Sequence, residues 1–167
     1  MRRLTGGGAV DHGEGVDFTY SLIFPVSDRR WALSGAERYR EIHRVVAEVL
    51  RAVGVDCGLA PALSEGTEAS GVAGCDCYRK PVAWDVLAPD GRKLAGGGQR
   101  RRRDGLLHQG SIRAGVGGKA FRCALAEGFE AGERSDLYPS VLAAARDLAR
   151  KKYATEDWLR GREALRS

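Results

Sequence analysis

The sequence predicts an α/β (α+β) chain: a mixed, largely antiparallel sheet flanked by helices. Three observations carry that reading. The run Phe18–Phe24, FTYSLIF, is dense in β-forming residues and is bounded by Asp17 and Pro25. Two further segments, 82–88 and 92–95, flank the turn signal Pro89-Asp90-Gly91 and so read as a hairpin, and residues 106–112 add another strand to make a three-stranded meander. Between these strand signals, residues 34–53 repeat apolar side chains at helical spacing.

Taken in order, Phe18–Phe24 reads as a buried strand. Ser34 and Glu37 form a capping box, and Tyr39, Ile42, Val45, Val46, Val49, Leu50 and Val53 then define one apolar stripe that stops at Gly54. Arg40, Glu41, Arg44, Glu48 and Arg51 fall on the wet side, and His43, beside the stripe, is expected at the surface or its boundary. Residues 55–59 suit a short strand. Residues 60–74, rich in Ser, Gly, Glu and Ala, read as a mobile loop that delivers Cys75 and Cys77. After the glycine break at 115–118, Phe121, Leu125 and Phe129 recur every four residues, as in a short helix. Pro139 suits the first turn of a last helix running to Lys152, with Val141, Leu142, Ala145, Leu148 and Ala149 inward and Arg150, Lys151 and Lys152 complementing the helix dipole. Trp158 is expected to dock the tail, and the remainder to fray.

A length of 167 residues with 43% hydrophobic content suits a single domain with a real interior. Lys and Arg outnumber Asp and Glu by 27 to 22, a net charge of +5, with the excess clustered at 100–103 and near the C-terminus, which favours an acidic partner. No apolar run approaches the roughly 18 residues that span a bilayer, and no signal core follows the first residues, so no membrane partner and a cytoplasmic setting are expected. The four cysteines, 57, 75, 77 and 123, are too sparse for a disulfide framework and read as free thiols; Cys57 and Cys123 fall in regular elements as packing residues. Cys75 and Cys77 lack the second cysteine or histidine pair of a zinc site, so no metal is expected. An arginine run alone can bind nucleic acid, but no recognition helix is evident and Trp31, Trp84 and Trp158 are dispersed, so nucleic acid is not an expected partner.

The stretch 92–112, RKLAGGGQRRRRDGLLHQGSI, is the most informative. Glycines let backbone approach a ligand closely, successive amides can form a concave nest, and Lys93 at the mouth adds one compact positive charge. Singly, a glycine run is a common turn and an arginine run a common solvated edge. Together, lysine, triple glycine, glutamine and HQGS resemble the K-x-x-G-x-x-Q and HxGS region of the lipoate-protein ligase and octanoyltransferase family. Residues 2–12, RRLTGGGAVDH, resemble that family's R-R-x-T-G-G-G-x-V-x-H loop, which runs over the acyl chain and its activated head group. Cys77-Tyr78 ahead of Pro81, and KYATEDW at 152–158, resemble the members that transfer octanoyl groups.

The resemblance implies a biotin/lipoate ligase-like catalytic domain over 1–158, lacking the N-terminal elements that precede the glycine loop in the family, with 159–167 as a tail. It implies Cys77 as nucleophile and Lys93 as the cation at the activated group. Arg3, Thr5, Gly6, Gly7, Gly8, His12, Gly96, Gly97, Gly98, Gln99, His108, Gly110 and Ser111 would line the substrate site. Gly97-Gly98 departs from the family's commoner Ser-Ala, which alters the side chains available to the pocket.

The implied function is transfer of an octanoyl or lipoyl group, from acyl carrier protein or H protein, to a lysine of a lipoyl domain or H protein, with no cofactor required. Cys77 favours this over the alternative, an ATP- and magnesium-dependent lipoate-protein ligase. A third reading is a non-catalytic carrier-binding fragment. Burying an octanoyl tail at about 0.8 kcal/mol per methylene gives about 5 kcal/mol, weaker than micromolar affinity, so carrier contacts must add to it. Lys93 is expected to serve turnover and not folding, and Arg100 to Arg103 to meet the carrier's acidic surface.

Overall fold

In a computed structural model of the chain, residues 17–62, 78, 81–131 and 139–156 are described. Phe18–Phe24 forms strand β1 and pairs antiparallel with β5, Gly105–Ile112. β5 pairs in turn with β4, Lys93–Arg102, which pairs with β3, Val86–Leu87, and β3 with β2, Gly58–Leu59. The sheet order is β1-β5-β4-β3-β2, and every described pairing is antiparallel. The expected meander is present as β3-β4-β5.

Helix α2, Gly35–Ala52, packs on this sheet. Its start is fixed as the sequence indicates: the Ser34 hydroxyl accepts the Glu37 N–H, and the Glu37 carboxylate accepts the Ser34 N–H. Ile42, Val46 and Leu50 on its inner face are buried against Val86, Leu94, Leu106 and Ile112. Each such side chain contributes about 1.5–3 kcal/mol on leaving water. A short helix α1, Arg29–Ala32, precedes α2. α3, Gly118–Gly128, packs on α2 and buries Phe121 and Leu125, with Phe129 closing its C-terminal end. Cys57 is buried and Cys123 half-buried, as packing residues.

Several expectations change. β1 is half-buried: Tyr20 and Phe24 face the core, whereas Ile23 is 80% exposed, because one of its faces lies on the helices and the other does not. Val53 is the C-cap residue of α2 and is exposed. His43 is fully buried, since the angular position beside the stripe is covered by the sheet. The run 82–88 is mostly not strand; Val82 to Asp85 form a turn in which Trp84 takes a positive φ of 70°, and only Val86–Leu87 pairs. α4, Pro139–Leu148, continues as a π-helical turn, Ala149–Tyr153, but Val141, Leu142 and Leu148 are exposed, so the described residues do not cover the inward face assigned to it. The segments 1–16, 63–77 and 157–167 lie outside the described residues, and with them the 2–12 motif, Cys75, Cys77 and Trp158.

Candidate active site

Strand pairing sorts the glycine-rich stretch into two faces. Side chains alternate along a strand, and residues directly opposite each other in register share a face. One face therefore carries three rows across β1, β5 and β4: Thr19–Ser111–Gly96, Ser21–Gln109–Gly98 and Ile23–Leu107–Arg100. The other carries Tyr20–Gly110–Gly97, Leu22–His108–Gln99 and Phe24–Leu106–Arg101, and lies under α2. The single wall expected from Gly96 to Ser111, with an amide nest at the glycines, is thus not formed. The glycine run is the middle of a ten-residue strand, its backbone held in the ladder with β5.

On the first face, the Lys93 side chain crosses directly over Gly96. A Cβ at Gly96 would lie 2.3 Å from Lys93 Cε and 2.6 Å from its Nζ, so glycine is what admits the ammonium there. A bulge between β3 and β4 at Val86/Leu87 interrupts the alternation beside Lys93. Lys93 Nζ lies 2.8 Å from Asp85 Oδ2, and the two residues are only 8% and 0% exposed. The same Oδ2 accepts the Val82 N–H at 2.7 Å, and Asp85 Oδ1 accepts the Tyr39 hydroxyl at 2.7 Å. Tyr39 oxygen accepts the Gly97 N–H at 3.0 Å. Asp85 is thereby fixed from three sides, and it fixes the ammonium in turn.

Ser111, opposite Gly96, is also buried; its hydroxyl reaches Asp17 Oδ2 at 3.4 Å, and its carbonyl accepts the Tyr78 hydroxyl at 2.6 Å. The Tyr78 ring sits 5.7 Å from Lys93 Nζ and 4.0 Å from the Arg113 guanidinium. Burial raises the Tyr78 phenol, partly opposed by Arg113, so it is a neutral donor. A buried cation stacked beside an aromatic ring, over a backbone floor without side chains, is an arrangement that stabilises negative charge appearing on a substrate oxygen.

The second face is built differently. His108 is fully buried and lies over Gly97, whose Cβ would meet His108 Nε2 at 2.5 Å; Tyr20 covers Gly110, whose Cβ would meet its ring at 2.4 Å. His43 stacks edge-on against both Tyr39 and His108, and its Nδ1 donates to the Trp84 carbonyl at 2.7 Å, which makes it the Nδ1–H tautomer. Burial pushes His43 down to about 4; burial and the neighbouring His43 push His108 down to about 3. Burial, reinforced by Asp85, raises Tyr39. Both histidines are neutral at physiological pH. Gln99 ties this face to α2: its amide donates to the Gly35 carbonyl at 2.6 Å and accepts from Arg38 Nε at 2.9 Å.

The structure therefore brings together Lys93, Gly96 and Ser111, with Gly98 one row away, and separates them from Gly97, Gln99, His108 and Gly110 on the α2 side. Arg3, Thr5, Gly6, Gly7, Gly8, His12 and Cys77 lie outside the described residues. Sequence reasoning missed Asp85 and Tyr39. The signal for Asp85 was present: one acid inside the apolar run VAWDVL demands a buried partner, and Lys93 is the cation just beyond the turn. Among the described residues no cluster of His, Cys, Asp and Glu is placed to hold a metal, and no helix is long and apolar enough to cross a membrane.

The chain is 35% identical over 120 residues to octanoyltransferase LipM of Exiguobacterium sp., and 33% identical over 114 residues to octanoyltransferase LipM of Geobacillus kaustophilus. Each alignment covers 67% of this chain and 40% of the relative, so the chain spans about two fifths of the length of the curated relatives it matches. Among solved structures, lipoate-protein ligase A bound with ATP superposes with a TM-score of 0.68 at 24% identity, covering 94% of this chain and 70% of that one. A bipartite lipoate protein ligase, described with its E2 lipoyl domain from Thermoplasma acidophilum, superposes at 0.66 with 22% identity, covering 94% and 68%. These two share the fold. The profile of the lipoyl protein ligase A/B catalytic domain matches residues 1–153. The chain belongs to the lipoyl protein ligase A/B catalytic-domain family.

Proposed function

We propose that this chain transfers an octanoyl or lipoyl group from a carrier thioester to a lysine of a lipoyl domain or H protein. The observation that carries the reading is the Lys93 ammonium held over Gly96 by Asp85, in a chain whose curated relatives are named octanoyltransferases. Cys77 is the nucleophile; it immediately precedes Tyr78, whose ring lies beside Lys93. A nearby ammonium favours the thiolate. The Cys77 thiolate attacks the donor carbonyl, and Lys93 stabilises the oxyanion that develops. The carrier sulfur leaves and takes up the proton that Cys77 gave up, leaving an acyl thioester on Cys77. The acceptor lysine amine then attacks this thioester, forms the amide and releases the Cys77 sulfur, which recovers a proton from the amine. Neither step requires ATP or a metal.

Incubation with octanoyl-carrier protein and no acceptor is expected to add one hydroxylamine-labile octanoyl group, absent in Cys77→Ser and retained in Cys75→Ser. The second reading is lipoate ligation using ATP and magnesium, favoured by the fold shared with an ATP-bound ligase. It prevails if Cys77→Ser still modifies the acceptor and does so only with free lipoate and ATP.

A further inference from the structure

The face that carries Lys93 continues as a track that is buried at its Lys93 end, where Gly96 and Ser111 lie, and opens towards Arg100, with a distinct chemistry at each row. Nearest Lys93 is the row Thr19–Ser111–Gly96. Next comes Ser21–Gln109–Gly98, a hydroxyl, an amide and a position with no side chain; Gln109 Nε2 lies 3.5 Å from Ser21 Oγ. Last comes Ile23–Leu107–Arg100, with Arg102 two residues further along β4 on the same face. Ile23, Arg100 and Arg102 are exposed, and they border a notch of about 210 Å³ with Leu107 and Asp104. Arg101, by alternation, faces the other way, with its guanidinium 5.3 Å from the Trp31 ring centroid and its Nη1 on the Trp31 carbonyl. The arginine run is therefore not one basic patch. Two of its members share the face of the reactive lysine and one is tied to α1.

The distances suit one class of ligand. Gly96 and Arg100 are four residues apart, about 14 Å along an antiparallel strand. A phosphopantetheine arm places its phosphate and its sulfur roughly 13 bonds apart, which extends to about 15 Å at the chain rise of a comparable amide backbone. We propose that this track receives the phosphopantetheine arm of the acyl donor. Arg100 and Arg102 hold the phosphodiester, Ser21 and Gln109 meet the arm's amides across the space left by Gly98, and the acyl thioester arrives beside Lys93. Arginine suits the phosphate because its planar fork makes paired charge-assisted hydrogen bonds. The inference rests on the thioester-donor reading above and adds which part of the donor is recognised, and where.

The test compares S-octanoyl phosphopantetheine with S-octanoyl pantetheine, which lacks only the phosphate, as small donors for the full chain. The expected result is a kcat/KM about tenfold or more higher for the phosphorylated donor, the order expected for a hydrogen bond to a charged group. Arg100→Gln/Arg102→Gln removes that preference, and Arg51→Gln, on the wet side of α2, keeps it. Equal use of the two donors by the wild type overturns the inference while leaving the acyltransfer reading standing. So does a double variant impaired with intact octanoyl-carrier protein but unchanged with the small donors, which would assign the arginines to the carrier's acidic surface. Failure of every thioester donor, with activity only on lipoate and ATP, removes the acyltransfer reading and this inference together.

Discussion

On the α2 side of the sheet, Tyr20, Tyr39, His43 and His108 are packed ring against ring and kept neutral by burial; on the far side, Lys93 and Asp85 are buried as ions over a bare backbone. Both faces depend on glycines of the same two strands, for different reasons. Gly97 and Gly110 make room for rings that the fold needs, and Gly96 makes room for a charge. Alternation along β4 thus assigns neighbouring glycines to stability and to chemistry. The difference also revises the expectation that Lys93 serves turnover alone, because Asp85, with no exposure, is left without its cation when the lysine is removed.

The largest effect that sharpens this comparison is therefore a double one. Lys93→Met is expected to lower acyl transfer by about 10² or more, the scale for removing an electrostatic stabiliser, and to cost about 3–5 kcal/mol of stability, as for breaking a buried ion pair from one side. Rates and denaturant unfolding of the same preparation measure both. A variant that loses activity at full stability would mean that Asp85 is paired elsewhere.

The glycines separate the faces. Gly110→Ala and Gly97→Ala drive a methyl into the Tyr20 and His108 rings and are expected to cost about 1–3 kcal/mol, the range for overpacking. Gly96→Ala displaces the flexible end of Lys93, so its expected signature is a fall in kcat of about tenfold, with a smaller loss of stability than in the other two. If all three behave alike in melts and rates, the two-face division fails.

Acid distinguishes the faces as well. The folded chain holds His43 and His108 neutral down to about 4 and about 3, whereas an unfolded chain protonates them near 6.5. Their contribution is fully present above about 6.5 and is lost as pH falls from there towards 4, because the unfolded state binds more protons in that window. Each pH unit between the two titrations is worth about 1.4 kcal/mol per histidine. The slope of stability against pH between 6.5 and 4 should flatten in His108→Gln.

The smallest effect concerns the cover of the α2-side face. Ser34→Ala removes one half of the capping box and is expected to cost about 1 kcal/mol without altering transfer.

α2 was legible because cap, stripe and stop all agree locally, and α3 because Phe121, Leu125 and Phe129 repeat at one spacing. β4 was harder to read. Three glycines favour a turn in isolation, and only the ladder with β5 overrides that preference, which is tertiary information. The turn at Trp84 was illegible for a related reason, since a tryptophan at positive φ is tolerated only where surroundings enforce it, here through its carbonyl on His43 and its ring under Arg40. Helical spacing in α4 showed its face but not what covers it. Motif resemblance singled out Lys93, Gly96 and Ser111, which the fold places together, whereas their separation from His108 and Gln99 follows from register, fixed only once β1 and β4 lie on either side of β5.

Asp85 holds Lys93 for its charge and not for its packing. The most direct test is Lys93→Met combined with Asp85→Asn, which removes both charges and keeps the shapes. The double variant is expected to recover most of the stability lost in Lys93→Met, to within about 1 kcal/mol of wild type, while acyl transfer stays down by about 10². Recovery of near-normal transfer by this uncharged pair would contradict it.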